Sequence, residues 1–265
     1  MNRKNILITG GTSGLGLELA KLFTKRGDNV KVTGRNGKSA LSRESFIYAD
    51  FADLSGVRDA ANALITNGFS PDVIINNAGT LGPASFTTTK DGFEYTWQVN
   101  FISHLLLNDL LLKASGRGGE KLLVFVTSPV FKLVKPVYRL PEESEYSTFR
   151  AYAESKYFLL LTGDYLAAKY SDKKLNILKF SPGVFGSGIF RMRRPFLRAV
   201  YLVAEPFMPG PGRPAHRLLH LIDNNLYDSN KVFMARGRKS VAAPEMNEES
   251  EDFLFSLEKA VNIVR

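Results

Sequence analysis

Tyr152 and Lys156 stand four residues apart in a stretch whose apolar residues recur at helical spacing. That spacing sets a phenol and an ammonium side by side on one helix face. A free phenol, with a pKa of about 10, is a poor base at neutral pH, whereas an adjacent cation favours the phenolate and moves it towards a useful range. The pair is therefore a candidate general acid/base. Tyr-x-x-x-Lys also arises by chance in many helices, so its meaning depends on the surroundings.

The elements needed to position such a pair are visible along the chain. Lys4 to Thr9 is a short apolar strand, and Leu15 to Phe23 has helical apolar spacing. Thr9-Gly10-Gly11-Thr12-Ser13-Gly14-Leu15-Gly16 sits at the hand-over. Glycines there let the backbone turn tightly and approach a pyrophosphate at the positive end of a helix. The alternation continues with strands at Asn29 to Gly34, Phe46 to Ala49, Val73 to Ile75, Lys121 to Thr127 and Leu175 to Phe180. Helices are expected at Leu54 to Ile65, Phe93 to Leu112 and Arg150 to Lys169. Strands that read as unbroken Val/Ile/Leu runs, such as Leu122 to Val126, suit a parallel sheet covered on both faces. The expected fold is α/β, a doubly wound parallel sheet (Rossmann fold), in a single domain over residues 1–265. Pro129 to Thr148 and Gly183 to Pro214 read as irregular, and long loops in a compact domain are more often functional than idle.

With strand, glycine turn and helix in this order, the chain resembles the single-domain branch of the short-chain dehydrogenases and reductases. The Thr-Gly-x-x-x-Gly-x-Gly run from Thr9 matches that family's cofactor turn, implying contacts from Gly10, Thr12, Ser13, Gly14, Leu15 and Gly16. Asn76-Asn77-Ala78-Gly79 resembles its NNAG segment, with Asn77, Ala78 and Gly79 at the cofactor. Asn100, Ser128, Tyr152 and Lys156 match the family's catalytic tetrad in order and element. The resemblance implies that Ser128 holds the substrate oxygen, that Asn100 helps hold a water bound to Lys156, and that Lys156 and Tyr152 also contact cofactor. It further implies Asp50 and Phe51 around the adenine and a Pro182-Gly183 turn beside the nicotinamide. Ser187 stands near the position of a carboxamide-binding threonine, although Val184-Phe185-Gly186 departs from the common pattern.

The second strand ends in Val32-Thr33-Gly34-Arg35, without the carboxylate that accepts from ribose hydroxyls in NAD-binding relatives. A guanidinium at that point suits a 2′-phosphate, so NADP(H) is the expected cofactor and Arg35 its reader. The 24 residues from Ser128 to Tyr152 and the Ala151-Tyr152-Ala153-Glu154-Ser155-Lys156 segment are similar to the retinol dehydrogenase and WW-domain oxidoreductase group. Ser181 departs from it, since those relatives often carry His before the Pro-Gly pair. The implied reaction moves a hydride between nicotinamide and a carbonyl or alcohol carbon of a fairly apolar small molecule. A second reading keeps fold and cofactor without useful turnover, as a sensor or scaffold.

Bulk properties narrow the field. Zero cysteines exclude thiolate catalysis, and three scattered histidines argue against a metal site. The net charge of +9 arises from basic residues spread along the chain, with concentrations at Arg191, Arg193, Arg194 and Arg198 and at Arg236, Arg238 and Lys239. No nucleic-acid motif accompanies them, so no nucleic-acid partner is expected. The first cluster, with Phe185, Phe190, Phe196, Tyr201 and Phe207, could border an apolar substrate, graze an anionic membrane or meet an acidic carrier. Neither a secretory leader nor an apolar run of membrane-spanning length is seen, so the expectation is a cytoplasmic protein. By resemblance it would form a homodimer or homotetramer through the helices bearing Asn100 and Tyr152.

Overall fold

Alternate residues of the central strands project to opposite faces and into two different cores. In the computed structural model, which describes residues 3–116, 119–183, 210–237 and 239–263, β1 (Asn5–Ile8) sends Leu7 to one face and Ile6 and Ile8 to the other. β4 (Val73–Asn76) divides in the same way, as does β5 (Glu120–Val126), with Leu123 and Phe125 opposed to Leu122, Val124 and Val126. This two-residue period is why the strands must be apolar throughout.

The sheet has the order β3-β2-β1-β4-β5-β6-β7-β8. β2 (Asn29–Gly34), β3 (Phe46–Tyr48), β6 (Lys174–Ser181) and β7 (Lys231–Met234) extend the parallel array, and β8 (Ser240–Ala242) closes its edge antiparallel to β7. The chain winds outward from β1 to β3, then returns to the other side of β1 as β4. Loops leaving β1 and β4 therefore diverge and open a crevice at their carboxyl ends, where open α/β sheets bind ligands.

Helices α1 (Gly14–Arg26) and α6 (Gly212–Asp223) cover one face. The other carries α2 (Leu54–Thr66), α5 (Thr148–Lys169), α7 (Glu248–Ile263) and a composite helix. Local chemistry sets the boundaries. Gly27, in the left-handed region, caps α1 behind Lys25 and Arg26, and Asp53 accepts from the amides of Ser55 and Gly56 at the start of α2. Ser147 accepts from the Arg150 amide and starts α5, two residues before the sequence-based boundary.

Two expectations need correction. The helix expected over Phe93 to Leu112 starts at α3 (Tyr95–Trp97), where Glu94 accepts from the Trp97 amide, and ends with α4 (Ser103–Ala114). Between them lies a π-helical turn, Gln98–Ile102. Trp97, just before it, and Phe101, within it, both pack on Phe158 of α5, with ring centroids 4.8 and 5.6 Å away. The Gly183 to Pro214 stretch is not irregular throughout, since α6 begins at Gly212 and places Pro214 in its first turn, where a missing amide hydrogen costs nothing. Pro129 to Thr148 contains 3₁₀ turns at Pro129–Leu133 and Glu143–Glu145. Among the described residues no helix is long and apolar enough to cross a membrane.

Candidate active site

The crevice between the β1 and β4 loops is a cleft of about 930 Å³ open to solvent. The glycine turn forms one wall through Gly10, Thr12, Ser13, Gly14 and Leu15, and Asn77, Ala78, Gly79 and Thr80 form the facing wall. Thr33 and Gly34 of β2, Arg35 just after it, and Ala49, Asp50 and Phe51 after β3 continue the lining, with Tyr95 and Val99. Gly16 lies beneath the surface. A Cβ there would meet the Gly10 carbonyl oxygen at 2.5 Å and the Asn77 amide nitrogen at 2.7 Å, so the turn closes onto the helix only with glycine. Gly10 has φ +64°, which a side chain would strain.

These features fit a dinucleotide. Ser13 leaves the first turn of α1 without a side-chain cap, so that turn's amide hydrogens remain for an anion at the positive helix end. Arg35 is exposed at the mouth, where a guanidinium can meet a phosphate. Asp50 accepts from the Ala52 amide at 3.0 Å, which fixes its carboxylate at the cleft wall.

Next to this cleft the four chemically suggestive side chains come together. The buried Lys156 amine donates to the Val126 carbonyl at 3.2 Å and lies against Gly79, 3.1 Å from where a Cβ would sit. Asn100 occupies the π-turn, fully buried. Its Oδ1 accepts from the Thr80 amide at 2.7 Å, and its Nδ2 donates to the Thr80 carbonyl at 2.8 Å and to Ser155 Oγ at 2.9 Å. Ser155 in turn donates to the Tyr152 carbonyl at 2.8 Å. Ser128, directly after β5, is the hydrogen-bond partner of the half-buried Tyr152 phenol.

The electrostatics differ from the simple sequence argument. Burial raises the Tyr152 pKa and the Ser128 contact opposes it, while Lys156 does not contribute a lowering. Burial brings the Lys156 amine down to about 8. Helical spacing brings the two side chains to one face, but the amine is drawn down towards Val126 and Gly79, and desolvation dominates both groups.

Of the other expected positions, Pro182 and Gly183 lie at the end of β6, Gly183 with φ +74°. Ser187, the aromatic residues from Phe185 to Phe207, the Arg191 to Arg198 cluster and Arg238 lie outside the described residues. Sequence reasoning assigned no role to Thr80 in the cleft wall, or to Thr9, His104 and Ser155, which brace the site from behind that wall. The available signal was a polar residue at a core-facing position, as with His104 among the leucines of α4.

The family model for short chain dehydrogenases matches residues 4–197. Among curated proteins the chain is similar to the short-chain dehydrogenase TIC 32 A, chloroplastic, of Brassica napus, 30% identical over 70% of this chain and 65% of that one. It is also similar to human polyprenol dehydrogenase, 30% identical over 70% of this chain and 62% of that one. Human retinol dehydrogenase 12 is 29% identical over 82% and 72% of the respective chains. The chain thus spans about two thirds of the length of such relatives, 65% for the Brassica protein. A solved structure of 3-alpha-hydroxysteroid dehydrogenase from Pseudomonas sp. B-0831, complexed with NADH, shares the fold, with TM-score 0.65, 22% identity and coverage of 87% and 94%. The model match across most of the chain, on a doubly wound sheet, is decisive: this protein belongs to the short-chain dehydrogenase family.

Proposed function

We propose that the protein is an NADP(H)-dependent oxidoreductase acting on the carbonyl or alcohol carbon of a fairly apolar small molecule, with Tyr152 as general acid/base. One observation carries this reading. Asn100, Ser128, Tyr152 and Lys156 meet beside a cleft whose glycine turn, uncapped α1 terminus and Arg35 suit a phosphorylated dinucleotide. The chemistry such a cofactor supplies when bound is hydride transfer.

The protein's own groups divide the remaining work. Ser128 holds the substrate oxygen against the Tyr152 phenol, and Tyr152 gives its proton to that oxygen in the reductive direction. Its raised pKa keeps the phenol protonated at neutral pH, as a proton donor requires. Lys156, with a pKa of about 8, carries charge for most molecules at neutral pH and holds the nicotinamide ribose. Asn100 fixes the Thr80 backbone at the cleft wall. Arg35 reads the 2′-phosphate, Asp50 and Phe51 border the adenine, and Pro182, Gly183 and Ser187 serve the nicotinamide end. Relatives named for retinol and polyprenol support an apolar substrate. So do exposed Leu133, Val137, Leu140 and Phe149, all between Ser128 and Tyr152 in sequence. A sensor or scaffold that keeps the fold and cofactor without useful turnover is the second reading.

Calorimetric titration with NADPH and NADH tests the cofactor reading before any substrate is known. NADPH is expected to bind much more tightly than NADH. Equal affinities would remove the role of Arg35, and binding of neither nucleotide would reject the oxidoreductase reading.

A further inference from the structure

Beneath the glycine turn, Thr9 is the hub of a buried polar cluster. Its Oγ1 accepts from the backbone amides of Asn77 and Ala78, both at 2.9 Å, and lies 3.0 Å from His104 Nε2 and 3.3 Å from the Ile75 carbonyl. A hydroxyl has two acceptor lone pairs and one proton. The two amides use both lone pairs. A third donor has no place, so His104 cannot carry hydrogen on Nε2, and the threonine proton goes to that nitrogen. The Ile75 carbonyl is farther away and already accepts from the Thr9 amide at 3.0 Å. The ring proton is thereby assigned to Nδ1, which faces the Asn100 carbonyl of the π-turn without a partner of good geometry.

His104 is fully buried, its ring set edge-on to Phe51 with centroids 4.8 Å apart. It stays neutral because burial and the nearby Lys156 ammonium both disfavour a second charge, bringing its pKa down to about 3. A neutral ring with a fixed tautomer is a directional acceptor rather than an acid or base.

We propose that His104 is a positioning residue for the cofactor platform: by accepting from Thr9 it orients the hydroxyl that holds the Asn77 and Ala78 amides, and so fixes the gap between the two walls of the cleft. Among the described residues the walls are also joined by the Asn77 side chain, which donates to the Thr9 carbonyl at 2.9 Å and the Gly10 carbonyl at 3.3 Å. The inference rests on the nucleotide-binding reading of the cleft and adds a residue that touches neither nucleotide nor substrate.

The test compares NADPH binding by calorimetry, with thermal melting alongside, for the full chain and for His104→Phe, His104→Gln and His104→Asn. Phe keeps the ring packing and loses the acceptor; Gln places an oxygen where Nε2 lies, whereas Asn is too short to reach. Without Nε2 the Thr9 proton has only the longer contact to the Ile75 carbonyl and the hydroxyl turns away from its present orientation, so His104→Phe and His104→Asn are expected to weaken NADPH about tenfold. His104→Gln should restore most of that affinity, and Thr9→Val combined with His104→Phe should lose no more than Thr9→Val alone. Phe binding like the wild type, or Gln binding as weakly as Phe with melting intact, overturns the inference. Absence of NADPH and NADH binding in the wild type would instead bring down the nucleotide reading itself. For variants that do not fold, ¹⁵N shifts of the wild-type ring decide: protonation on Nε2 overturns the assignment, and protonation on Nδ1 alone supports it.

Discussion

The Asn100 side-chain amide and the Ser155 hydroxyl, 2.9 Å apart, join the π-turn to the helix that carries Tyr152 and Lys156. Both residues are fully buried, and every polar hydrogen of the Asn100 amide is used, one by the Thr80 carbonyl and one by Ser155. Removing the acceptor leaves a desolvated N–H. Ser155→Ala should therefore cost about 1–3 kcal/mol of stability, read from chemical denaturation. If the nucleotide reading is right, it should also lower turnover more than it weakens nucleotide binding, because the phenol-bearing turn loses its brace. A fully stable variant would show that the π-turn and α5 are held by the Trp97, Phe101 and Phe158 rings alone.

Tyr152→Phe separates proton transfer from binding. The ring keeps its packing and only the hydroxyl is lost, so nucleotide affinity should stay within about twofold while turnover of an apolar carbonyl falls about 10²- to 10⁴-fold. Turnover close to wild type would remove Tyr152 from the mechanism. Loss of turnover in neither protein, because neither has any, would favour the sensor reading.

Arg35→Ser addresses cofactor choice. A charge-assisted contact to a phosphate contributes about 1.5–3 kcal/mol, so NADPH affinity should drop about tenfold to a hundredfold with NADH unchanged. The contrast matters more than the size. A parallel loss for both nucleotides would mean that Arg35 acts through the cleft wall rather than through a 2′-phosphate.

The central strands and the glycine turn were legible because each depends on local pattern: unbroken apolar runs for buried strands, and a glycine cluster where β1 hands over to α1. The tetrad was legible by type and order. What holds it was not, since Thr9 meets His104 across 95 residues and Asn100 meets Ser155 across 55. A π-turn has no signature of its own in Gln98-Val99-Asn100-Phe101-Ile102. The carboxyl-terminal elements beyond Pro214 were not read from the sequence at all. Leu254, Leu257 and Val261 stand at helical spacing, yet that α7 lies across α4 and α5 is set by distant partners such as Tyr165 and Lys169, which bond Glu258 at 2.6 and 2.7 Å. Because α7 packs on both α4 and α5, we propose that a pairing of two chains through those helices involves its exposed face. Sedimentation of a chain with Phe255 and Ile263, both exposed on α7, replaced by Lys tests this: a homodimer through that face should dissociate, and an unchanged oligomer would place the contact elsewhere.

The pH dependence of stability should carry the signature of His104. Its folded pKa of about 3 lies below the 6.5 of the unfolded chain. The unfolded state therefore binds the extra proton between those values, and stability must fall as pH falls. The contribution is complete above pH 6.5 and is lost on the way to 3. Lys156 is the charged group facing the ring, and it stays protonated throughout this window, so its repulsion is constant. One proton gives a slope of up to about 1.4 kcal/mol per pH unit. Denaturation series from pH 7 to 4 should show wild type losing stability faster than His104→Gln by about that slope. Parallel curves would mean that the ring titrates normally and is less enclosed than its packing against Phe51 implies.

Beneath the Pro182-Gly183 turn, β6 contains a cation that the chemistry does not use. Lys179 is fully buried, and its ammonium lies 2.6 Å from the Asp164 carboxylate of α5, with Asp228 adding attraction. Burial lowers the lysine pKa and raises that of Asp164, so both charges oppose desolvation and survive through each other. The two halves are not equivalent, because Asp164 retains 23% side-chain exposure and Lys179 only 1%. Asp164→Ala strands a buried cation and should cost about 3–5 kcal/mol. Lys179→Met fills the same volume, removes the charge that needs a partner and leaves a carboxylate that water can reach, so it should be much closer to neutral. The order of the two midpoints in denaturant is the measurement. Equal losses would show that the pair acts through geometry shared by both side chains, and a larger loss for Lys179→Met would show that Asp164, not Lys179, is the charge that cannot stand alone.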